Sequence, residues 1–146
     1  MHFEGEFIID APREEVWGYI SNPQSALDYV PNIRKLNVLS ENKFTSTVGV
    51  GVGSIRGNFD LEFEVVENIP PIHTKLKAKG SGLKSIVDFE TAIDLSATPD
   101  GKTNTKWLAD ANGGGLIAGV GQRLLRMVAE KTVSELFDRL RSKLEK

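Results

Sequence analysis

The strongest constraint on this chain is one long amphipathic segment that follows almost uninterrupted strand patterning. From Leu116 to Lys146, apolar residues recur at Leu116, Val120, Leu124, Val128, Leu136, Phe137, Leu140 and Leu144. That spacing puts them on one face of a helix. Nearly everything between residues 33 and 112 instead alternates with period two, as half-buried antiparallel strands do. Gly113-Gly114-Gly115 separates the two regimes and reads as the start of the helix. A single helix after so much sheet has to be gripped by that sheet.

The chain before the helix divides at its turn residues. Phe3 to Ile9 reads as a first strand. Asp10-Ala11-Pro12 then starts a short helix, with Asp10 or Ala11 as cap, Pro12 in the first turn and Glu14 and Glu15 at the positive end of the dipole. Val16, Trp17 and Ile20 form its apolar face. Asn22 and Pro23 repeat the device for a second short helix, Gln24 to Tyr29, and Val30-Pro31-Asn32 ends it. Ile33 to Ser40 is the next strand. Lys43 to Ser54 follows, with Phe44, Ser46, Val48, Val50 and Val52 on one face and Gly49, Gly51 and Gly53 on the other. Glycine at alternate positions weakens a strand but permits the coiling that a helix-wrapping sheet needs.

The clearest hairpin sets Phe59, Leu61, Phe63 and Val65 against Ile72, Thr74, Leu76 and Ala78. A turn centred between Ile69 and Pro70 pairs Glu64 with Lys75, Glu62 with Lys77 and Asp60 with Lys79 on the wet face. Lys84 to Leu95 and Thr103 to Asn112 complete the sheet. They turn Val87, Phe89, Thr91, Ile93 and Leu95, then Thr105, Trp107, Ala109 and Ala111, to the core, and place Lys106 near Asp94 outside.

The order is strand, two short helices, about six strands and a long helix, in one domain over residues 1–146. Short links between strands make the sheet antiparallel, so the class is α+β. Seven strands about 4.8 Å apart span roughly 29 Å, whereas a helix is about 10–12 Å across. The sheet must curl around the helix, and a curl deeper than the side chains fill leaves an apolar hollow. Its expected lining is Leu27, Tyr29, Val50, Val52, Phe59, Phe63, Leu76, Phe89, Trp107, Leu116, Val120 and Leu124. The hollow is expected near Tyr29, Phe63, Trp107 and Val120, with its mouth and any gating at Gly113 to Leu125; Val128 to Leu144 reads as plain core packing. Such a lining suits hydrophobic ligands held by shape.

Much chemistry is excluded. A net charge of −2 argues against nucleic acid. The absence of cysteine removes disulfides and thiolate sites, and suits a cytoplasmic location. His2 and His73 fall on outer faces, no metal-ligand spacing occurs, and no catalytic residue or cofactor is expected. Tyr29, Asn32, Arg56, Asn112 and Arg123 are the polar groups nearest the expected mouth. Arg56 is read as the partner of a surface carboxylate, and Trp17 and Trp107 as core.

The pattern of Phe7, Ile9, Ala11, Pro12, Val16 and Trp17 resembles the opening of the helix-grip, START-like (SRPBCC) superfamily. Within it, Asp28 to Ile33, Val50 to Gly57 and Gly114 to Leu125 are similar to the family of the carbon monoxide dehydrogenase G-type accessory protein, CoxG. The resemblance covers essentially the whole chain and implies a helix-grip fold. It also implies binding of a lipid- or quinone-like molecule in service of a molybdenum-containing dehydrogenase. The family usually has Pro-Gly where this chain has Pro31-Asn32, a mild departure because Asn tolerates the left-handed backbone. Many members carry a C-terminal extension linked to membrane recruitment. This sequence stops at Lys146, so membrane association is expected to be weak at most. Competing readings are a cyclase- or hydrolase-like enzyme of the same superfamily and a scaffold or assembly protein without ligand; the non-enzymatic binder is favoured.

Overall fold

The computed structural model describes residues 1–52 and 54–145, except for the side chains of Val52 and Ile55. Gly53, expected in the third strand, Lys146, expected in the long helix, and the Val52 side chain, expected in the lining, lie outside the described residues. Strand β1 (His2–Ile9) leads to helix α1 (Arg13–Ile20). A 3-10 turn (Pro23–Ser25) and the short helix α2 (Ala26–Tyr29) follow. Then come β2 (Ile33–Ser40), β3 (Lys43–Val52), β4 (Ile55–Ile69), β5 (His73–Gly82), β6 (Ser85–Ala97) and β7 (Thr103–Gly115). A second 3-10 turn (Leu116–Val120) precedes α3 (Gln122–Leu144). The strands form one antiparallel sheet in the order β1-β7-β6-β5-β4-β3-β2. This is the expected α+β helix-grip architecture.

Local signals near the first helices behave as their chemistry dictates. Asn22 caps the 3-10 turn by accepting from the Gln24 N–H at 3.1 Å, with Pro23 in its first position. Pro12 is the cap of α1 rather than a residue of its first turn, and its carbonyl accepts from the Glu15 and Val16 N–H groups, each at 3.0 Å. Asn32 takes the left-handed backbone (φ 59°) that the family's glycine would take.

Two expectations are corrected. The glycines Gly113 to Gly115 do not start the helix; they extend β7, facing Val87, Ile86 and Ser85. Gly115 has φ 77°, and any Cβ there would collide with the Lys84 carbonyl. The helix begins instead at Gln122, after Gly121 at φ 101°. The other correction is the β4–β5 register. Glu64 lies opposite Lys77 and Glu62 opposite Lys79, while Asp60 faces Ser81. The chain reverses at Pro70-Pro71, one residue later than expected, and a bulge at Val66 brings Glu67 opposite Lys75. A shift of two residues keeps every side chain on its face, so acid still faces base. The ion pairs that form run sideways: Lys77 to Glu90 at 3.3 Å, Lys75 to Glu90 at 3.9 Å and Lys43 to Glu64 at 3.7 Å.

Helix α3 runs along β1. Arg126 Nη2 donates to the His2 carbonyl at 3.2 Å, and Arg141 Nε to the Ile8 carbonyl at 3.3 Å. The Asp10 N–H donates to Glu145 Oε2 at 3.1 Å. The C-terminal half of α3 buries Phe137, Leu140 and Leu144 against Ile9, Ala11, Val16, Trp17 and Leu95, with Phe7 and Phe137 stacked at 4.0 Å. No helix is long and apolar enough to cross a membrane.

Candidate functional site: the uncovered end of the concave face

Strand register alone assigns the two faces of the sheet. Phe63 pairs with Ala78 and Ala78 with Phe89, so all three point to the concave side with Leu61, Leu76, Thr91, Ile93 and Trp107. Glu62, Glu64, Lys77, Lys79, Asp88 and Glu90 point to the convex side. Charges placed there stay in water, and apolar groups line the grip.

Burial along the concave face is uneven. Where β1 and β6 end and α3 finishes, Ile9, Val16, Leu95, Leu140 and Leu144 are at most 4% exposed. Toward the opposite end, Leu61, Phe63, Leu76, Val87, Phe89 and Trp107 face the same way but are only partly buried, as are Leu124, Leu125 and Val128 of α3. The helix seals one end of its trough and leaves the other incompletely covered.

The floor of that open end is aromatic. Phe44 stacks on Phe63 at 4.7 Å, and Phe63 meets Phe89 edge-on at 6.0 Å. The last contact crosses β5, and Ala78, 3% exposed, is small enough to let the two rings meet above it. At the short helices, the Tyr19 and Tyr29 rings lie 5.7 Å apart. Tyr19 donates to Asp28 Oδ2 at 2.8 Å. Burial pushes the Tyr29 hydroxyl up to about 12, with the Tyr19 phenol adding to it. Burial and then the Asp28 hydrogen bond push Tyr19 up to about 12. Both phenols therefore stay protonated near neutrality and act as donors.

The expected lining residues are dispersed across this region. Phe63, Leu76, Phe89 and Trp107 share the concave floor, and Val50 lies toward its edge, in register with Gly57. Phe59 is buried at 3% exposure. Tyr29 is partly buried on α2, while Leu27 beside it is 50% exposed. Leu124 is on α3, but Leu116 and Val120 belong to the preceding 3-10 turn, and Leu116 is 53% exposed. That turn is pinned to the sheet, since the Ile117 N–H donates to Ser85 Oγ at 2.9 Å. Asn32, Arg56, Asn112 and Arg123, expected at the mouth, are all exposed. The sequence reading missed two features. Phe44 was legible from its alternation, but its stacking on Phe63 needed the register. Tyr19 carried no signal that it would face Tyr29.

Two hollows indent the described surface. One of about 380 Å³ lies between β1 and α3 and borders Phe3, Gly5, Phe7, Trp107, Arg126 and Val133. The other, about 210 Å³, is a polar dent over Lys35, Thr45, Thr47, Asp60 and Glu62. Trp107 alone of the expected lining borders either. The outer histidines are clasped rather than free in solvent. His73 meets Glu67 at 2.6 Å and Asp94 at 2.7 Å, and His2 meets Asp110 at 2.7 Å and Glu4 at 3.2 Å. Those carboxylates hold both imidazoles above their ordinary pKa. Among the described residues no cluster of His, Asp or Glu has metal-binding geometry.

Similarity to known proteins agrees with this architecture. A conserved protein from Geobacillus kaustophilus is 28% identical, with a TM-score of 0.92 over 99% of this chain and 95% of that one. A START superfamily protein from Mycobacterium smegmatis shares the fold at 11% identity, with a TM-score of 0.76 over 99% of this chain and 97% of that one. So does the Zhui aromatase/cyclase from Streptomyces sp. R1128, at 14% identity and a TM-score of 0.71 over 99% and 93%. No curated protein matches the chain. The family model of the carbon monoxide dehydrogenase G subunit (CoxG) matches residues 5–145, and the chain belongs to that family.

Proposed function

We propose that the protein holds an apolar, lipid- or quinone-like molecule at the uncovered end of its concave face, in the cytoplasm, in service of a carbon monoxide dehydrogenase-type molybdenum enzyme. The burial gradient carries this reading: Phe63, Leu76 and Phe89 point into the grip yet stay partly exposed, while Leu95 and Leu140 at the other end are sealed. Leaving large apolar floor residues uncovered costs stability, which bound apolar surface restores. Family membership supports the ligand-binding role and the dehydrogenase connection. In this reading Tyr29, Val50, Val52, Phe59 and Trp107 belong to the floor and walls. Leu27, Leu116, Val120 and Leu124 border the opening, and Gly113 to Leu125 forms the mouth. The strand carboxylates of β4 and β6 point to the convex face, which favours a binder over an acid–base enzyme.

Native mass spectrometry of the protein isolated from its own cells tests this, with solvent extraction of whatever is bound. The expected result is a retained apolar molecule, and uptake of added decylubiquinone or oleic acid by the emptied protein. Leu76→Trp, which fills the floor, is expected to block that uptake while the fold persists by circular dichroism. An empty protein that takes up neither probe would sink the proposal.

A further inference from the structure

The edge of β1 is open in its middle. The Ala111 N–H donates to the Met1 carbonyl at 2.8 Å, so β1 bonds to β7 through its odd residues. Its even residues turn their N–H and C=O groups outward. Side chains of α3 occupy these groups at both ends: Arg126 at the His2 carbonyl, Arg141 at the Ile8 carbonyl and Glu145 at the Asp10 N–H. Between these clamps, the outward groups of Glu4 and Glu6 have no hydrogen-bond partner among the described residues. They open onto the 380 Å³ groove, with Val133 and Ser134 on its far wall. Gly5 lets the Trp107 indole lie at its floor; a Cβ at Gly5 would sit 2.8 Å from Trp107 Nε1. The opposite edge of the sheet, β2, is broken by two irregularities in its pairing, whereas β1 runs in unbroken register. A regular edge with free backbone groups is a template for another strand.

We propose that this edge accepts one extended segment of a partner protein, carrying Lys or Arg at alternate positions, laid along Glu4 to Glu6 between the two arginine clamps. The stretch from His2 to Ile8 is roughly 20 Å long at about 3.4 Å per residue, which suits a short strand. Charge selects the occupant. Glu4, Glu6 and Glu130 border the groove, while Arg126 is engaged with the His2 carbonyl and the Phe3 ring. Basic side chains opposite Glu4 and Glu6 form favourable cross-strand pairs. A second copy does not fit: antiparallel pairing about Gly5 would set Glu4 against Glu6 of the other molecule, like charge to like.

Titration of the isotope-labelled full chain with the acetylated, amidated peptide Val-Lys-Val-Lys-Val, followed by amide exchange, tests the assignment. The Glu4 and Glu6 amides are expected to shift and gain protection. Glu4→Pro removes one outward donor at an edge position where proline is tolerated, and should weaken binding about tenfold. Ser134→Trp fills the groove from the helix side and should abolish binding; thermal melts confirm that both variants fold. The peptide Val-Glu-Val-Glu-Val should bind at least about tenfold more weakly. Unchanged exchange at Glu4 and Glu6, equal affinity for the acidic peptide, or peptide-free dimerisation through β1 would each overturn the proposal.

Discussion

His73 lies directly opposite Asp94 on the neighbouring strand and also reaches Glu67, with its side chain 20% exposed. Hydrogen bonds to Glu67 and then Asp94 raise its pKa above the ordinary 6.5. The charged imidazole is thus favoured by folding, and this contribution is complete below the unfolded value. It is lost as pH rises through the higher folded value. His73→Gln should therefore lower the melting temperature at about pH 5.5 and leave it nearly unchanged at about pH 9. Equal penalties at both pH values would contradict the clasp. Alternation made the outward placement of His73 readable from sequence. The clasp was not readable, because Glu67 reaches His73 only through the bulge at Val66. The charge pairs of the β4–β5 hairpin teach the same lesson: the wet face was legible, but the register within it was ambiguous by two residues.

Helix α3 is one element with two environments. Leu140 and Leu144 are 2% and 4% exposed, whereas Leu124 and Val128 are partly buried and Met127 is 60% exposed. Burial scales with apolar area removed from water, and a void left in a close-packed site adds to the loss. Leu140→Ala should cost about 2–5 kcal/mol in denaturant unfolding. Leu124→Ala should cost less than half as much, because the partly covered end already tolerates open space. Comparable losses would mean that the trough is sealed along its length. The apolar stripe predicted the helix and the packing of its second half. It did not show where the helix begins. Periodicity continues through Leu116 and Val120, but Ser85 to Val87 need partners, and Gly113 to Gly115 supply them. The helix consequently starts later, and the residues before it form a 3-10 turn anchored through Ile117 and Ser85.

At the scale of the molecule, the sheet grips the helix firmly at one end and loosely at the other. A ligand that binds only the folded chain raises its stability by mass action. Decylubiquinone is therefore expected to raise the melting temperature with saturation, reaching about 2.7 kcal/mol of stabilisation at about one hundred times its dissociation constant. A melting temperature independent of the probe would contradict occupation of the trough. The sequence by itself determined the class, the strand faces and the identity of the gripping helix, because each follows from a period of 2 or 3.6 read over one local segment. The family pattern of Phe7, Ile9, Ala11, Pro12, Val16 and Trp17 was likewise local. Only the tertiary structure decided which concave residues are sealed, that Ala78 lets Phe63 meet Phe89, and that α3 lies along β1 and leaves Glu4 and Glu6 open. Those features depend on register and on the line the helix takes across the sheet. Both are set by contacts between residues far apart in the chain, so no local period records them.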